Sequence, residues 1–333
     1  MKNIRAYLAI LCPLFVVGCL LLAGCKTGPF GRPQPQVPNN VFGDTQPTLA
    51  QIQQVVNQNS QKIRSMQSDD ARVTVPGVSP VSMRSTLAVD RPQRVRITGG
   101  ASALTGGQEF DIGSNDEQFW IWFRRQPDKM FFTARLDQWA ASPNRQMIPM
   151  DPSWLAEALG IVEFRADEHH EGPFQNAQGQ YVVNTFRNTP SGRFRKETTI
   201  DQRTGAVVLQ ELFAPTGQPI AAARSTGHTV DPRTNIVYAR QVEIRSPGMD
   251  PVIISLGNVQ FNTIEPASSM AFFSRPHFEN FTEINLSDPA FFAPQHPPQQ
   301  TQPPAQPFVP LDQHHQSHQL YRSADSAHTV IFR

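Results

Sequence analysis

The chain has 333 residues, enough for one large domain or two small ones. Lys and Arg number 29 against 28 Asp and Glu, so no overall basic field draws it to nucleic acid. Its cysteines are Cys12, Cys19 and Cys25. Everything beyond residue 25 therefore lacks a disulfide scaffold, a Cys-ligated metal and a Cys nucleophile.

Lys2 and Arg5 start the chain with positive charge, and Ala6 to Ala23 is uncharged and mostly apolar. Leu22-Ala23-Gly24-Cys25 follows, then Lys26. This resembles a bacterial lipoprotein signal peptide with its lipobox. The resemblance implies removal of residues 1–24 and a lipid, such as palmitate, on Cys25. A single transmembrane anchor is the rival reading, but the apolar run is only borderline for a bilayer core of about 30 Å. A second small-residue site, Val16-Val17-Gly18-Cys19, would leave Leu20, Leu21 and Leu22 at the mature start, so Cys25 is preferred. Lys26 stands where an Asp would imply inner-membrane retention. The expected location is the cell envelope, lipid-anchored, at the outer membrane facing the periplasm.

Residues 25–45 carry Pro29, Pro33, Pro35 and Pro38 among glycines and read as an extended tether. Residues 294–333 are rich in Pro, Gln and His and read as a disordered tail. Between them, 46–293 reads as one body. It opens with an amphipathic helix over 48–67, from the spacing of Leu49, Ile52, Val55, Val56, Asn59, Ile63 and Met66. Thr45 or Thr48 would cap it. Strands are expected at 72–75, 82–89, 94–97, 117–123, 129–134, 181–186, 194–200, 207–213, 236–244 and 252–261, joined by turns such as Asp201-Gln-Arg-Thr-Gly205. A short helix is expected at Pro152–Leu159, with Asp151 as its cap and Gly160 at its end. Many short strands on short turns argue for a continuous antiparallel sheet, wet on one side and facing a core or cavity on the other.

The phrases Leu87-Ala-Val-Asp-Arg-Pro-Gln-Arg-Val-Arg-Ile97 and Glu109-Phe-Asp-Ile-Gly-Ser-Asn-Asp-Glu-Gln-Phe-Trp-Ile-Trp122 follow the first helix. In that order they resemble the LolA/LolB-like superfamily of lipoprotein-sorting proteins, over about residues 46–265. The resemblance implies a mainly β (α+β) fold. In it a curled antiparallel sheet forms an incomplete β-barrel, with the N-terminal amphipathic helix and one or more short helices on its concave side. It also implies an apolar cavity that receives acyl chains. The Pro/Gln/His tail and a large insertion around 135–175 depart from that pattern. The expected cavity residues are Trp122, Leu209, Tyr238, Val242, Ile254 and Leu256, covered by Ile52, Val56 and Ile63 of the helix. The expected function is acyl-chain or apolar-ligand binding in lipoprotein or lipid trafficking. The alternative is a structural or interaction lipoprotein with a filled core. The partners expected are the membrane, through the lipid on Cys25, and lipoprotein acyl chains or lipid, with no nucleic acid, for a monomeric protein.

Other polar groups read as structure. Asp167-Glu168-His169-His170-Glu171 fits a solvated turn better than a metal site, because adjacent residues of a strand point apart. His314, His315 and His318 sit in the Pro/Gln tail. Trp120 and Trp122 share one strand face, which suits core packing as well as a cavity wall. Asp111 and Asn115-Asp116-Glu117 fit a hairpin loop rather than paired carboxylates for glycoside chemistry. The glycine pairs at 99–100 and 106–107 precede no Lys-Ser/Thr, and no Gly-x-Ser-x-Gly occurs. No enzyme, metal or cofactor is expected.

Overall fold

A computed structural model describes residues 36–75, 79–100, 107–142, 144, 152–189 and 192–289. The expected signal peptide, Cys25 and the expected tail from 294 onward lie outside the described residues, as does Asp151.

Helix α1 spans Leu49–Gln61. Thr48 caps it: its hydroxyl accepts the Gln51 N–H, and the Gln51 side chain accepts the Thr48 N–H. Strands β1 (Ser65–Val75), β2 (Ser79–Asp90), β3 (Arg94–Gly99), β4 (Phe110–Ser114), β5 (Gln118–Phe123) and β6 (Met130–Arg135) follow. Two short helices, α2 (Leu136–Ala141) and α3 (Pro152–Ala158), lead to β7 (His169–Gln175), β8 (Tyr181–Thr189), β9 (Gly192–Ile200), β10 (Val207–Phe213) and β11 (Pro219–Thr226). The chain ends with the β12 (Thr229–Val230) and β13 (Val237–Tyr238) hairpin, β14 (Gln241–Arg245), β15 (Val252–Ser255), β16 (Val259–Phe261), α4 (Pro266–Phe272) and β17 (Thr282–Asn285).

All strands but β12 and β13 join one curled sheet in the order β17-β6-β5-β4-β3-β2-β1-β15-β14-β11-β10-β9-β8-β7, with β16 also on β1. Among the described residues the end strands β17 and β7 do not pair with each other, so the curled sheet stays open. Every pairing is antiparallel except β17 on β6.

Cross-strand partners share a face. One face runs through Gln210, Ala223 and Ile244, through Ile254 and Val73, and through Leu87, Ile97 and Ile112. This inner face carries the main core, into which α3 inserts Trp154 and Leu155, and to which the residue after it, Leu159, adds its side chain. Helix α1 buries Ile52 and Val56 against Val162, Phe164, Tyr181, Val183 and Ile200. The outer face carries Asp111, Trp120, Trp122 and Phe131, covered by α4 and the segment after it.

Several expectations change. The first helix stops at Gln61 rather than 67, because Met66 belongs to β1 and pairs with Val89 and Phe261. The run 236–244 is no single strand. The Arg240 N–H is taken by the Thr226 and Gly227 carbonyls, which folds β12–β13 away from β14. The run 252–261 breaks where Asp70 accepts the Asn258 N–H at 2.7 Å, at the β1 bulge. Asp111 lies on β4, not in a loop, and is fully buried. The turn at 167–171 gives way to edge strand β7 at His169. There His169 meets Glu171, while His170 meets Thr185 and the Arg165 carbonyl. Part of the expected tether packs: the Val41 N–H donates to the Arg203 carbonyl at 2.9 Å, and Phe42 meets Tyr181 edge-on at 5.5 Å.

Candidate functional site

The second half of α1 overhangs a cleft of about 400 Å³. Val55, Val56, Ile63 and Met66 form its roof, with Leu159 and Ile161 from the segment after α3. Its floor and rim come from two turns. The β9–β10 turn supplies Thr204, Ala206 and Val207, and the β12–β13 turn supplies Asn235, Val237 and Tyr238.

These turns are built alike. Asp201-Gln-Arg-Thr-Gly-Ala-Val207 and Asp231-Pro-Arg-Thr-Asn-Ile-Val237 have the same phrase. In each, the aspartate accepts from the threonine hydroxyl, at 2.7 Å for Thr204 and 2.6 Å for Thr234. In each, the fifth residue donates its N–H back to the aspartate carbonyl. Burial pushes the Asp201 carboxyl up, but its bonds from Thr204 and Arg203 outweigh this and hold it below the usual carboxylate range. Both carboxylates are thus occupied by their own turns.

Helix α1 is held over the cleft by two asparagine forks. The Asn59 side chain donates to the Val237 carbonyl and accepts its N–H, both at 2.8 Å. Asn57 does the same with Phe164 at 2.9 and 2.8 Å. Deeper in the cleft, the His228 ring donates to the Val207 carbonyl at 3.1 Å. Burial lowers its pKa, against smaller opposing effects of Val207 and Asp201, so the ring is neutral near pH 7.

Of the expected cavity residues only Tyr238 lines this cleft, together with Val56 and Ile63 of the expected helix face. Val242, Ile254 and Leu256 are close-packed in the adjoining core, at 0, 2 and 4% exposure. Leu209 pairs with Arg224 and Thr199, the opposite parity from buried Gln210, and so stands on the outer face. Trp122 also stands on the outer face, its ring stacked on Phe278 at 3.8 Å. Val55, Val207 and Val237 also line the cleft and are not among the expected cavity residues. The repeated Asp-x-Arg-Thr phrase is the sequence signal that marks both turns.

A second cleft, about 860 Å³, is lined by charge. Its arginines face carboxylates: Arg165 with Asp167 at 2.9 Å, Arg187 with Glu168 at 2.6 Å, and Arg91 with Glu163. Among the described residues no three metal-ligating side chains converge.

No family model matches the sequence, and no curated protein matches it. Among solved structures, the chain is similar to a LolA-superfamily protein from Nitrosomonas europaea. The identity is 11% over 67% of this chain and 97% of that one, with a TM-score of 0.43. It is similar to a domain from Vibrio parahaemolyticus named for outer membrane lipoprotein sorting, at 8% identity, 66% and 96% coverage and TM-score 0.43. It is similar to a DUF1329-family protein from Desulfovibrio piger, at 11% identity, 69% and 100% coverage and TM-score 0.43. Likenesses at this level carry no argument about ligand or location.

Proposed function

We propose that this chain is a lipid-anchored envelope protein that takes an acyl chain or another apolar ligand into the cleft beneath α1, without catalysis, in lipid or lipoprotein trafficking. The observation that carries the reading is the cleft itself. Its volume of about 400 Å³ falls in the usual range for small-ligand sites, and its wall combines aliphatic side chains such as Val55, Val56, Ile63 and Val207 with polar ones such as Asn59, Thr204 and His228. An acyl chain needs no polar partner there, and each methylene buried contributes about 0.8 kcal/mol. The anchor rests on the lipobox resemblance at Cys25.

Two measurements test this. Metabolic labelling with a palmitate analogue should mark the full-length protein and not Cys25→Ser; equal labelling of both would end the anchor reading. The unlipidated chain should extract with bound lipid or take up a fluorescent fatty acid. Val237→Trp, which fills the cleft from its half-buried rim, should reduce uptake at least tenfold. The close packing of Val242, Ile254 and Leu256 favours a second reading, an envelope protein with a filled core that acts through surface contacts. Absence of any lipid uptake by the wild-type chain would select it.

A further inference from the structure

We infer that the cleft beneath α1 selects a single-chain amphiphile with an anionic head, its chain among the aliphatic residues and its head against Lys62 at the mouth. The inference rests on the cleft being a ligand site and adds the charge of the ligand.

Among the described residues lining the cleft there is no Asp or Glu; the titratable groups with a nitrogen are Lys62 and His228. His228 is neutral near pH 7 through burial, which leaves Lys62 as the cleft's charge. The Lys62 ammonium donates to the Asn235 carbonyl at 3.1 Å, which places it at the rim between the end of α1 and the β12–β13 turn. A carbonyl orients the ammonium without neutralising it. Among the described residues no carboxylate forms an ion pair with Lys62, whereas Arg91, Arg165 and Arg187 of the other cleft each face one. The aspartates of the two rim turns, Asp201 and Asp231, aim their carboxylates at Thr204 and Thr234 and form no ion pair with Lys62, although their charge is felt at His228 and Tyr238.

A helix C-terminus ordinarily repels an anion through its unsatisfied carbonyls. Here two of those carbonyls are taken. Asn59 and Ser60 accept from the Lys62 N–H, and Ser60 accepts also from the Ile63 N–H at 3.0 Å and from Arg91 at 3.2 Å. The mouth is thus a cation set beside an apolar slot, and the forked Asn59 bond to Val237 holds the two rim elements together.

The test uses the chain from residue 25 onward carrying Cys25→Ser, titrated below their micelle concentrations with dodecanoate, dodecanol and dodecyltrimethylammonium. Dodecanoate should bind about fivefold tighter than dodecanol, the scale of one exposed ion pair, and the cation weakest. Lys62→Gln should bring dodecanoate to the level of dodecanol without changing dodecanol binding, and Lys62→Arg should keep the preference. Lys62 is exposed, so these variants leave the core intact. Equal binding of all three chains, or a dodecanoate preference that survives in Lys62→Gln, overturns the charge inference while the apolar cleft stands. No binding of any chain overturns both.

Discussion

Asp111 has no exposed surface, yet its two oxygens receive four bonds. Arg96 donates at 2.8 and 3.3 Å, the Trp120 indole at 2.8 Å and Gln108 at 2.9 Å. A buried carboxylate is tolerated when it is paired and its remaining lone pairs are satisfied, and removing one partner leaves an uncompensated charge. Asp111→Ala should therefore cost about 3 kcal/mol, the low end of the range for buried pairs because Arg96 is partly exposed. Urea unfolding should show a lower midpoint; an unchanged midpoint would mean that the network is ornamental. His228 gives a pH signature. Burial lowers its folded pKa below the ordinary 6.5, so the unfolded chain binds a proton that the folded chain refuses. Its contribution is complete above pH 6.5 and is lost as the pH falls through the folded value. The melting temperature should drop as the pH falls from 6.5 toward the folded value, and His228→Asn should flatten the drop. Parallel curves for the two proteins would assign the acid sensitivity elsewhere.

The twin turns show how one element type is specified twice under different constraints. Gly205 and Asn235 occupy the same position with φ of +69° and +55°. Asn235 is exposed, and asparagine tolerates this region. Gly205 faces α1, and a Cβ there would lie 2.6 Å from a methyl of Val55. Gly205→Ala should lower stability by at least the ~1–2 kcal/mol cost of a left-handed residue, while Asn235→Gly should change it by less than about 0.5 kcal/mol. Equal effects in thermal melts would contradict this packing. The sequence already shows the first of these turns from its Asp and Gly, but the cleft becomes visible only when the second phrase is set beside it. The overlong helix has a similar origin. Ile63 and Met66 continue the 3.6-residue spacing of α1, yet Met66 is buried by strands β2 and β16. Alternation also places Trp120 and Trp122 on a common face without saying which face is inside. Both faces of β5 are apolar because both are covered, one by the helix side and one by residues far along the chain. On neighbouring β4, Gly113 interrupts the apolar pattern because the Trp120 ring occupies the space of its missing side chain.

At the scale of the whole molecule, the chain's late segment closes the outer face of a sheet begun near residue 65. Phe278 stacks on Trp122, and Phe281 meets it edge-on at 5.5 Å. Phe273 and Leu286 are buried at 1 and 2% exposure, and β17 adds in parallel to β6. Polar bonds fix α4 in place. Arg94 donates to the Ser269 hydroxyl at 2.7 Å, that hydroxyl donates to Asp90 at 2.6 Å, and Arg96 donates to the Phe272 carbonyl at 2.7 Å. Losing residues beyond 265 would expose four large apolar side chains' worth of contact and leave Asp90 and Arg96 short of partners. At about 1.5 kcal/mol per side chain, the low end for a large apolar group, the loss is roughly 6 kcal/mol, comparable to the whole stability of many domains, ~5–15 kcal/mol. A chain ending at Glu265 should therefore lose cooperative unfolding and red-shift its tryptophan emission. A chain ending at residue 293 is the control, because the Pro/Gln/His composition beyond it supplies little apolar core, and it should melt as the full chain does. If the form ending at Glu265 melts at the full-length temperature, the outer face is not part of the folding core. The tryptophans of β5 would then be free to serve as a binding surface rather than as a floor for the chain's own end.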